Sequence, residues 1–284
     1  VKRQSGIGKL SWWHVEETIL FIFLALFALV VIFPYLWMVL TSFKPSTEIF
    51  TREMLFLPRE WHPENYLEVV RTGSFPRYVL NSVVITGFGV GLEVTASFLG
   101  AYAFAKLDFY GKDLLFYLVL GTLMIPPQVL MLPAYLVVSK MGWLDTYAGL
   151  IIPRVGAAFG IFLLRQFMLT VPQELEDAAR VDGAGVVRRL FSIYLPLCLP
   201  SIVTLSVFSM IGFWNDYYWP LVVTSSDEMR TLALGIGHFK SLEGMGKWEL
   251  LMAAATLATI PMVLAFLVAR KKLIQNLLAG AIKG

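Results

Sequence analysis

The sequence predicts an all-α membrane protein with six transmembrane helices in a single membrane domain covering residues 1–284. Two observations carry that prediction. The chain is 57% hydrophobic and only 15% charged, whereas soluble domains carry about 25% charged residues. Its apolar residues also gather in runs of roughly 20, the length of helix needed to cross a bilayer.

Six such runs are present, at about 19–41, 79–104, 114–138, 147–168, 197–223 and 250–268. They leave no room for a second globular domain. The first is too long for the 7–15-residue core of a cleaved signal peptide, and no small-x-small cleavage site follows it. The second holds Glu93 near its middle. A charge at mid-bilayer costs about 2.5–3.5 kcal/mol on insertion scales, so it should face a cavity or a partner helix. The third carries Pro126, Pro127 and Pro133, which predict a kink. Gly87-x-x-x-Gly91 and Gly156-x-x-x-Gly160 have the spacing of close helix packing. The fifth ends in Trp214, Asn215, Asp216, Tyr217 and Tyr218. Two readings stay open there, an aromatic belt at the interface or a surface for a sugar, whose ring has apolar faces and hydroxyl edges. Met124, beside the proline cluster, is a further pathway candidate.

Lysines and arginines orient the chain. With the N-terminus inside, Lys2, Arg3, Lys9, Lys106, Lys112, Arg165, Arg180, Arg188, Arg189, Arg270, Lys271, Lys272 and Lys283 lie inside, a slight majority of the 23. Both termini and the 169–196 loop are then cytoplasmic. The outer loops are 42–76 and 224–249. Asn65 to Arg71 reads as a short interfacial helix with Tyr66, Leu67 and Val70 on its apolar side. The second outer loop holds Gly235, Gly237, His238, Gly244 and Gly246, and reads either as an ordinary flexible loop or as a docking face for an external protein.

Residues 169–196 are unlike their surroundings. Thr170 and Gln173 have capping-box spacing. Glu174, Glu176 and Asp177 place negative charge at the positive end of a helix. Ala178 and Ala179 are small enough for that helix to enter a cleft. Gly183 and Gly185 break it. A second amphipathic run, Val186 to Leu195, sets Val186, Val187, Leu190, Ile193 and Tyr194 against Arg188 and Arg189, and Pro196 is expected to stop it before the fifth span. The result is an elbow that passes a partner's movement to two membrane helices, or a solvated hairpin without a partner.

Several chemistries find no support. A phosphate-binding loop needs G-x-x-x-x-G-K-[ST]; at Gly246-Lys247 the next residue is Trp248, and Ser241 stands where the first glycine belongs. His14, His62 and His238 are scattered, H-E-x-x-H is absent, and Cys198 is the single cysteine, so no metal cluster or nucleophile–base pair of an intramembrane enzyme is visible. A net charge of +3 gives no reason to invoke nucleic acid. An ion-driven secondary transporter using Glu93 and Asp216 is a further class, but would not need the 169–196 loop.

That loop resembles the EAA loop of binding-protein-dependent ABC importer permeases. The family pattern is Glu-Ala-Ala, three residues, Gly, nine residues, Ile-x-Leu-Pro. Here it reads Asp177-Ala178-Ala179, Gly183 and Ile193-Tyr194-Leu195-Pro196 at the same spacing, with Asp177 in place of Glu. Asn81-Ser82, Met124-Ile125-Pro126, Pro133-Ala134-Tyr135, Leu163 to Phe167, Trp214 to Leu221 and the tail Leu278 to Gly284 look like the carbohydrate-uptake branch, whose substrates include disaccharides, oligosaccharides and glycerol phosphates. The resemblance implies a type I importer permease (MetI-like) fold in a bacterial or archaeal cytoplasmic membrane. It implies a sister permease, two copies of a cytoplasmic ATPase that bind ATP and Mg, and an extracytoplasmic solute-binding protein, with no cofactor in this chain. It assigns ATPase coupling to Glu174, Glu176, Asp177, Ala178, Ala179, Asp182 and Gly183, and binding-protein contact to the 224–249 loop.

Overall fold

The structure is a computed structural model that describes the backbone of residues 7–51, 56–71, 74–156, 158–241 and 247–281, and side chains over 16–51, 56–71, 74–156, 158–237 and 247–270. Every regular element among them is helical. The chain divides into two compact units, Val1–Arg71 with Phe239–Leu257, and Thr72–His238 with Ala258–Gly284.

In the first unit, α1 (Ile7–Thr41) is apolar on all sides over its membrane-length part, and its side chains from Ile19 to Phe33 stay exposed within the chain. Such a helix has only lipid or another polypeptide to cover it. A single turn, α2 (Ser46–Ile49), leads to α3 (Glu64–Arg71). The expected short helix forms, but its buried side chains are Asn65 and Val69, while Leu67 and Val70 are exposed. Hydrogen bonding decides that face. Asn65 Nδ2 donates to the carbonyls of Ser42 and Lys44 at 2.9 and 3.0 Å, which satisfies chain ends that would otherwise be buried unpaired.

The second unit is built on α4 (Phe75–Lys106). It continues through α5 (Lys112–Thr122) and α6 (Pro127–Lys140), inclined at 100°, then α7 (Tyr147–Ile151), a 3₁₀ turn to Arg154, and α8 (Ala158–Leu169). Next come α9 (Gln173–Val181), α10 (Val186–Arg189), a π turn over Leu190–Tyr194 and α11 (Leu195–Trp214). The short α12 (Tyr218–Val223) and α13 (Leu232–Ser241) precede α14 (Trp248–Ala281).

Among the described residues, four helical stretches are long and apolar enough to cross a membrane: Glu16–Thr41, Phe75–Lys106, Val186–Trp214 and Trp248–Arg270. The expected runs 114–138 and 147–168 are not single helices but bent pairs; counting each pair as one span gives six. The cause of the sharper bend is local. Pro126 sits before Pro127, and a residue preceding proline is pushed out of the helical region; Pro126 accordingly has ψ 131°. The fifth run also ends early, at Trp214, with α12 as a separate helix after the break.

Lipid tails are as apolar as leucine, so membrane helices associate through close packing rather than the hydrophobic effect. Here α4, α8 and α11 form the packed centre. A Cβ added at Gly160 of α8 would strike the Ser97 side chain of α4, and one at Gly89 of α4 would meet the Phe213 ring of α11 at 2.6 Å. Of the two expected glycine pairs, only Gly160 marks a close approach; Gly87, Gly91 and Gly156 have nothing within 4 Å. At one end of the trio, Phe98, Tyr102, Leu164, Met168, Leu190, Tyr194 and Cys198 close a core, which accounts for Cys198 as a packing residue. At the other end, Ile85, Val138, Leu150, Phe213, Trp219 and Val223 form a second.

Candidate functional site: the helical elbow at 170–195

Helix α9 begins at Gln173 with Pro172 at its N-cap and no side-chain cap. The capping box is not made, because Thr170 Oγ1 turns back to the Phe167 carbonyl at 2.8 Å. The helix ends in a Schellman motif. The Gly183 amide donates to the Arg180 carbonyl at 3.0 Å and the Ala184 amide to the Ala179 carbonyl at 2.8 Å. That closure needs a left-handed residue, and Gly183 supplies it at φ +76°.

The helix has two faces with different work. Glu174, Asp177, Ala178 and Asp182 are exposed, and Ala179 is half-buried. Leu175 and Val181 add exposed apolar surface beside them, Val181 at 89%. Glu176 points the other way and is only 1% exposed. Its carboxylate accepts hydrogen bonds from the Tyr194 hydroxyl at 2.7 Å and Arg180 Nη2 at 2.9 Å, and Arg189 Nη1 stands 3.8 Å away. Burial alone would raise the carboxyl pKa; the Tyr194 and Arg180 hydrogen bonds and the two guanidinium charges outweigh it and hold the group below its ordinary value of 4.5. Tyr194 is fully buried, meets the Tyr102 ring edge-on at 5.1 Å and lies 5.5 Å beneath Lys106 Nζ. One carboxylate thus ties α9 to the helix entering the membrane, and through Tyr194 to α4.

Two sequence expectations need correcting here. Pro196 does not stop the second amphipathic run: Val186 to Trp214 is one continuous helical stretch. The π turn at Leu190–Tyr194, with the Leu195 amide bonded to the Leu190 carbonyl, carries the helix past a proline that has no N–H to give. The buried face also differs. Val186 and Val187 are exposed while Arg189 is 8% exposed, because Arg189 turns toward Glu176. A buried arginine is tolerated where a carboxylate faces it.

The other sequence-derived site residues do not converge on one place. Met124 lies in the break between α5 and α6, 85% exposed. Trp214 is buried, its Nε1 donating to the Ala258 carbonyl at 3.0 Å, a packing role. Tyr217 and Tyr218 are exposed and meet edge-on at 5.8 Å. Asn215 bonds back to the Ile211 carbonyl at 3.1 Å. Asp216 pairs with Arg154, a partner that sequence reading overlooked although an arginine inside an apolar run is a signal in itself. Arg154 also reaches the Gly212 carbonyl at 3.4 Å and stacks 4.7 Å from the Phe213 ring.

At the base of the 224–249 loop, Asn81 Nδ2 donates to the carbonyls of Glu228 and Arg230 at 2.7 and 2.8 Å, and its Oδ1 accepts from Tyr147 at 2.7 Å. Ser82 Oγ accepts from the Leu232 amide at 2.7 Å. Gly235 is buried: a Cβ there would strike the Tyr78 ring. It is therefore a packing position and not an exposed contact. Gly244 and Gly246, and the side chain of His238, lie outside the described residues.

Comparison with known proteins decides the family. Residues 94–278 match the family model described as the binding-protein-dependent transport system inner membrane component. The chain belongs to that family. The permease is 34% identical over 278 residues to the arabinooligosaccharides transport system permease protein AraQ of Halalkalibacterium halodurans, covering 97% of each chain. It is also 34% identical over 272 residues to the sn-glycerol-3-phosphate transport system permease protein UgpE of Brucella abortus, covering 93% of this chain and 96% of that one. Its fold is that of a chain in the crystal structure of a bacterial ABC transporter involved in the import of the acidic polysaccharide alginate, with a TM-score of 0.81 and 23% identity over 95% of this permease and 99% of that chain. The permease is thus a multi-pass membrane protein.

Proposed function

We propose that this permease is the membrane subunit of an ATP-driven importer for an oligosaccharide or disaccharide. It works with a sister permease, two cytoplasmic ATPase subunits and an extracytoplasmic binding protein. The observation that carries the reading is the division of α9 into an exposed face of small and acidic residues and a buried carboxylate fixed to the next span. A helix held rigidly on one side and open on the other is built to receive a partner and pass its motion on. In this reading ATP and Mg belong to the partner, since no phosphate-binding loop is present in the sequence.

The likeness to a sugar permease supports the substrate class. A polyol phosphate such as sn-glycerol-3-phosphate is the second reading, favoured by the equal likeness to UgpE. The topology is six spans with each bent pair crossing once, which sets both termini and α9 on one side, and the lysine and arginine clusters at the termini and at Arg188–Arg189 favour the cytoplasm for that side.

The working cycle is alternating access. ATP binding closes the ATPase pair and draws α9 with it. Glu176 transfers the displacement to Tyr194, hence to α11 and α4, and the cavity between the permeases opens outward to take substrate from the binding protein. Hydrolysis resets it.

The test is purification from the host membrane. An ATPase should co-purify, and reconstituted uptake should need ATP and binding protein. Uptake that persists without ATP, driven by a proton gradient, would establish a secondary transporter instead.

A further inference from the structure

The end of α11 away from Tyr194 carries a second set of polar contacts, separate from the coupling element. There α11 stops at Trp214 and the chain resumes as α12. Tertiary hydrogen bonds tie α12 to α7 and the turn before it. Trp219 Nε1 donates to the Gly149 carbonyl at 3.0 Å, and the Asp145 amide to the Val223 carbonyl at 2.8 Å. Asp145 Oδ1 accepts from the amides of Ser225 and Ser226 at 3.0 and 3.1 Å. Asp145 makes both contacts from a left-handed backbone, φ +58°, which Asp tolerates better than most residues. Trp219 and Val223 also share a core with Leu150 and Ile151. Helices α7 and α12 are therefore one packed body, and Arg154 gives that body its polar grip on α11. The guanidinium pairs with Asp216, donates to the Gly212 carbonyl in the last turn of α11 at 3.4 Å, and lies 4.7 Å from the Phe213 ring. Asp216 Oδ1 in turn accepts from the Trp219 amide at 3.4 Å. Glu93 of α4 lines the cavity beside this guanidinium, but takes its hydrogen bond from Ser209.

We infer that Arg154 and Asp216 are positioning residues for the opening of the permease on the side away from α9, where they make the α7–α12 body follow α11. The inference rests on the importer reading above and extends its route, from Glu176 at one end of α11 to Arg154 at the other. The two charges also have a structural use. A cation at the carbonyl end of α11 and a carboxylate at the amide end of α12 suit the helix dipoles. That use alone does not need the ends to share one pair, because each could be capped by its own side chain. An ion pair withdrawn from water repays little of its desolvation, and its best-attested use is to fix one register between two elements. Here the partners are 29% and 14% exposed, and the register is that of α7 and α12 on the last turn of α11. The backbone at Asn215–Tyr217 is not helical, and the ends of elements are where displacement is absorbed. A guanidinium that holds Gly212, Phe213 and Asp216 together bridges that break.

Spin-label distances in the assembled complex test this. The complex is placed in nanodiscs in a Cys198→Ser background, with and without ATP, and without Mg so that binding is seen apart from hydrolysis. Tyr110→Cys, at a fully exposed position in the α4–α5 turn, is the shared reference. Paired with Ala178→Cys it reports on α9, and paired with Ser225→Cys, at an exposed position after α12, it reports on the α7–α12 body. In the protein with Arg154 and Asp216 intact, both distances should shift on ATP binding. Arg154→Gln should keep the shift at Ala178 and lose the shift at Ser225. Asp216→Asn keeps an acceptor for the Trp219 amide and should do the same, so a folding defect in one variant does not decide the result. Substrate taken up per ATP hydrolysed should fall in each variant and no further in the double variant, because both break one interaction. A purely structural pair would lower the melting temperature and leave both shifts in place, and that outcome overturns the inference. It would route the motion instead through α4, where the Tyr147 hydroxyl donates to Asn81 Oδ1 at 2.7 Å. A shift at Ala178 with none at Ser225 in the intact protein, or additive losses in the double variant, also overturns it. No shift at Ala178 with the ATPase bound would fail the importer reading itself, so the two failures are distinct.

Discussion

Removing the Tyr194 hydroxyl, by Tyr194→Phe, is the sharpest perturbation of the coupling element. The substitution keeps the ring, its contact with Tyr102 and its packing in the core, and deletes one donor from a carboxylate that is 1% exposed. Hydrogen bonds to charged groups contribute about 1.5–3 kcal/mol. The 2.7 Å length and full burial of Tyr194 place this bond well within that range, so a loss of about 2 kcal/mol is expected. The Arg180 bond adds little, because its guanidinium is 51% exposed and solvent screens the pair. Glu176→Ala should cost more, about 3–5 kcal/mol, because it strands Arg189 and the Tyr194 hydroxyl together. Thermal unfolding of the solubilised complex should rank wild type, then Tyr194→Phe, then Glu176→Ala. Substrate taken up per ATP hydrolysed should fall in the same order, because the contact carries motion as well as stability. Adding Tyr194→Phe to a Glu176→Gln background isolates the pair energy. Additive effects in that cycle, or unchanged uptake per ATP in Tyr194→Phe, would refute the proposed route from α9 to α11.

Four other outcomes follow from the same geometry. Gly183→Ala forces a side chain into φ +76° at a cost of about 1–2 kcal/mol and should weaken coupling without blocking assembly; circular dichroism and ATPase assays check it. Gly160→Val should destabilise the α4–α8 contact by about 1–3 kcal/mol through overpacking, whereas Gly87→Ala, with nothing within 4 Å, should be silent in the same melting assay. The folded-state pKa of Glu176 is depressed, so its stabilisation is fully present above its ordinary value of 4.5 and is lost as pH falls through the depressed folded value; the gap in melting temperature between wild type and Glu176→Gln should close below that pH. Asn81→Ala removes the donor shared by the Glu228 and Arg230 carbonyls, and should lower binding-protein-stimulated ATPase more than basal ATPase.

Much of the fold and part of the site are legible in the residues alone. Apolar length identifies Glu16–Thr41 and Phe75–Lys106, because bilayer thickness is a strong and local constraint. Gly183 is legible because few other residues close a Schellman motif. The spacing from Asp177 to Pro196 is legible as a family pattern. What escapes is tertiary. The fate of Pro196 depends on a π turn that no local preference announces. The buried face of α9 is set by Tyr194, 18 residues away, so Glu176 and Asp177 look interchangeable in sequence and are opposite in space. Glycine spacing cannot say which glycine meets a neighbour: Gly89 and Gly160 do, and Gly87, Gly91 and Gly156 do not. The pairing of Arg154 with Asp216 joins two helix breaks 62 residues apart.

The most direct test of the account is cross-linking from the exposed face of α9, with a control position in the 42–76 loop. Cys198 is the only cysteine and is buried, so a Cys198→Ser protein gives a clean background. Cysteine placed at Ala178, on the exposed face, should cross-link to the co-purified ATPase with a yield that changes on ATP binding. Cysteine at exposed Phe50, on the opposite side of the membrane in this topology, should give none. No cross-link from Ala178, with one from Phe50, would reverse the topology and contradict the coupling role of α9.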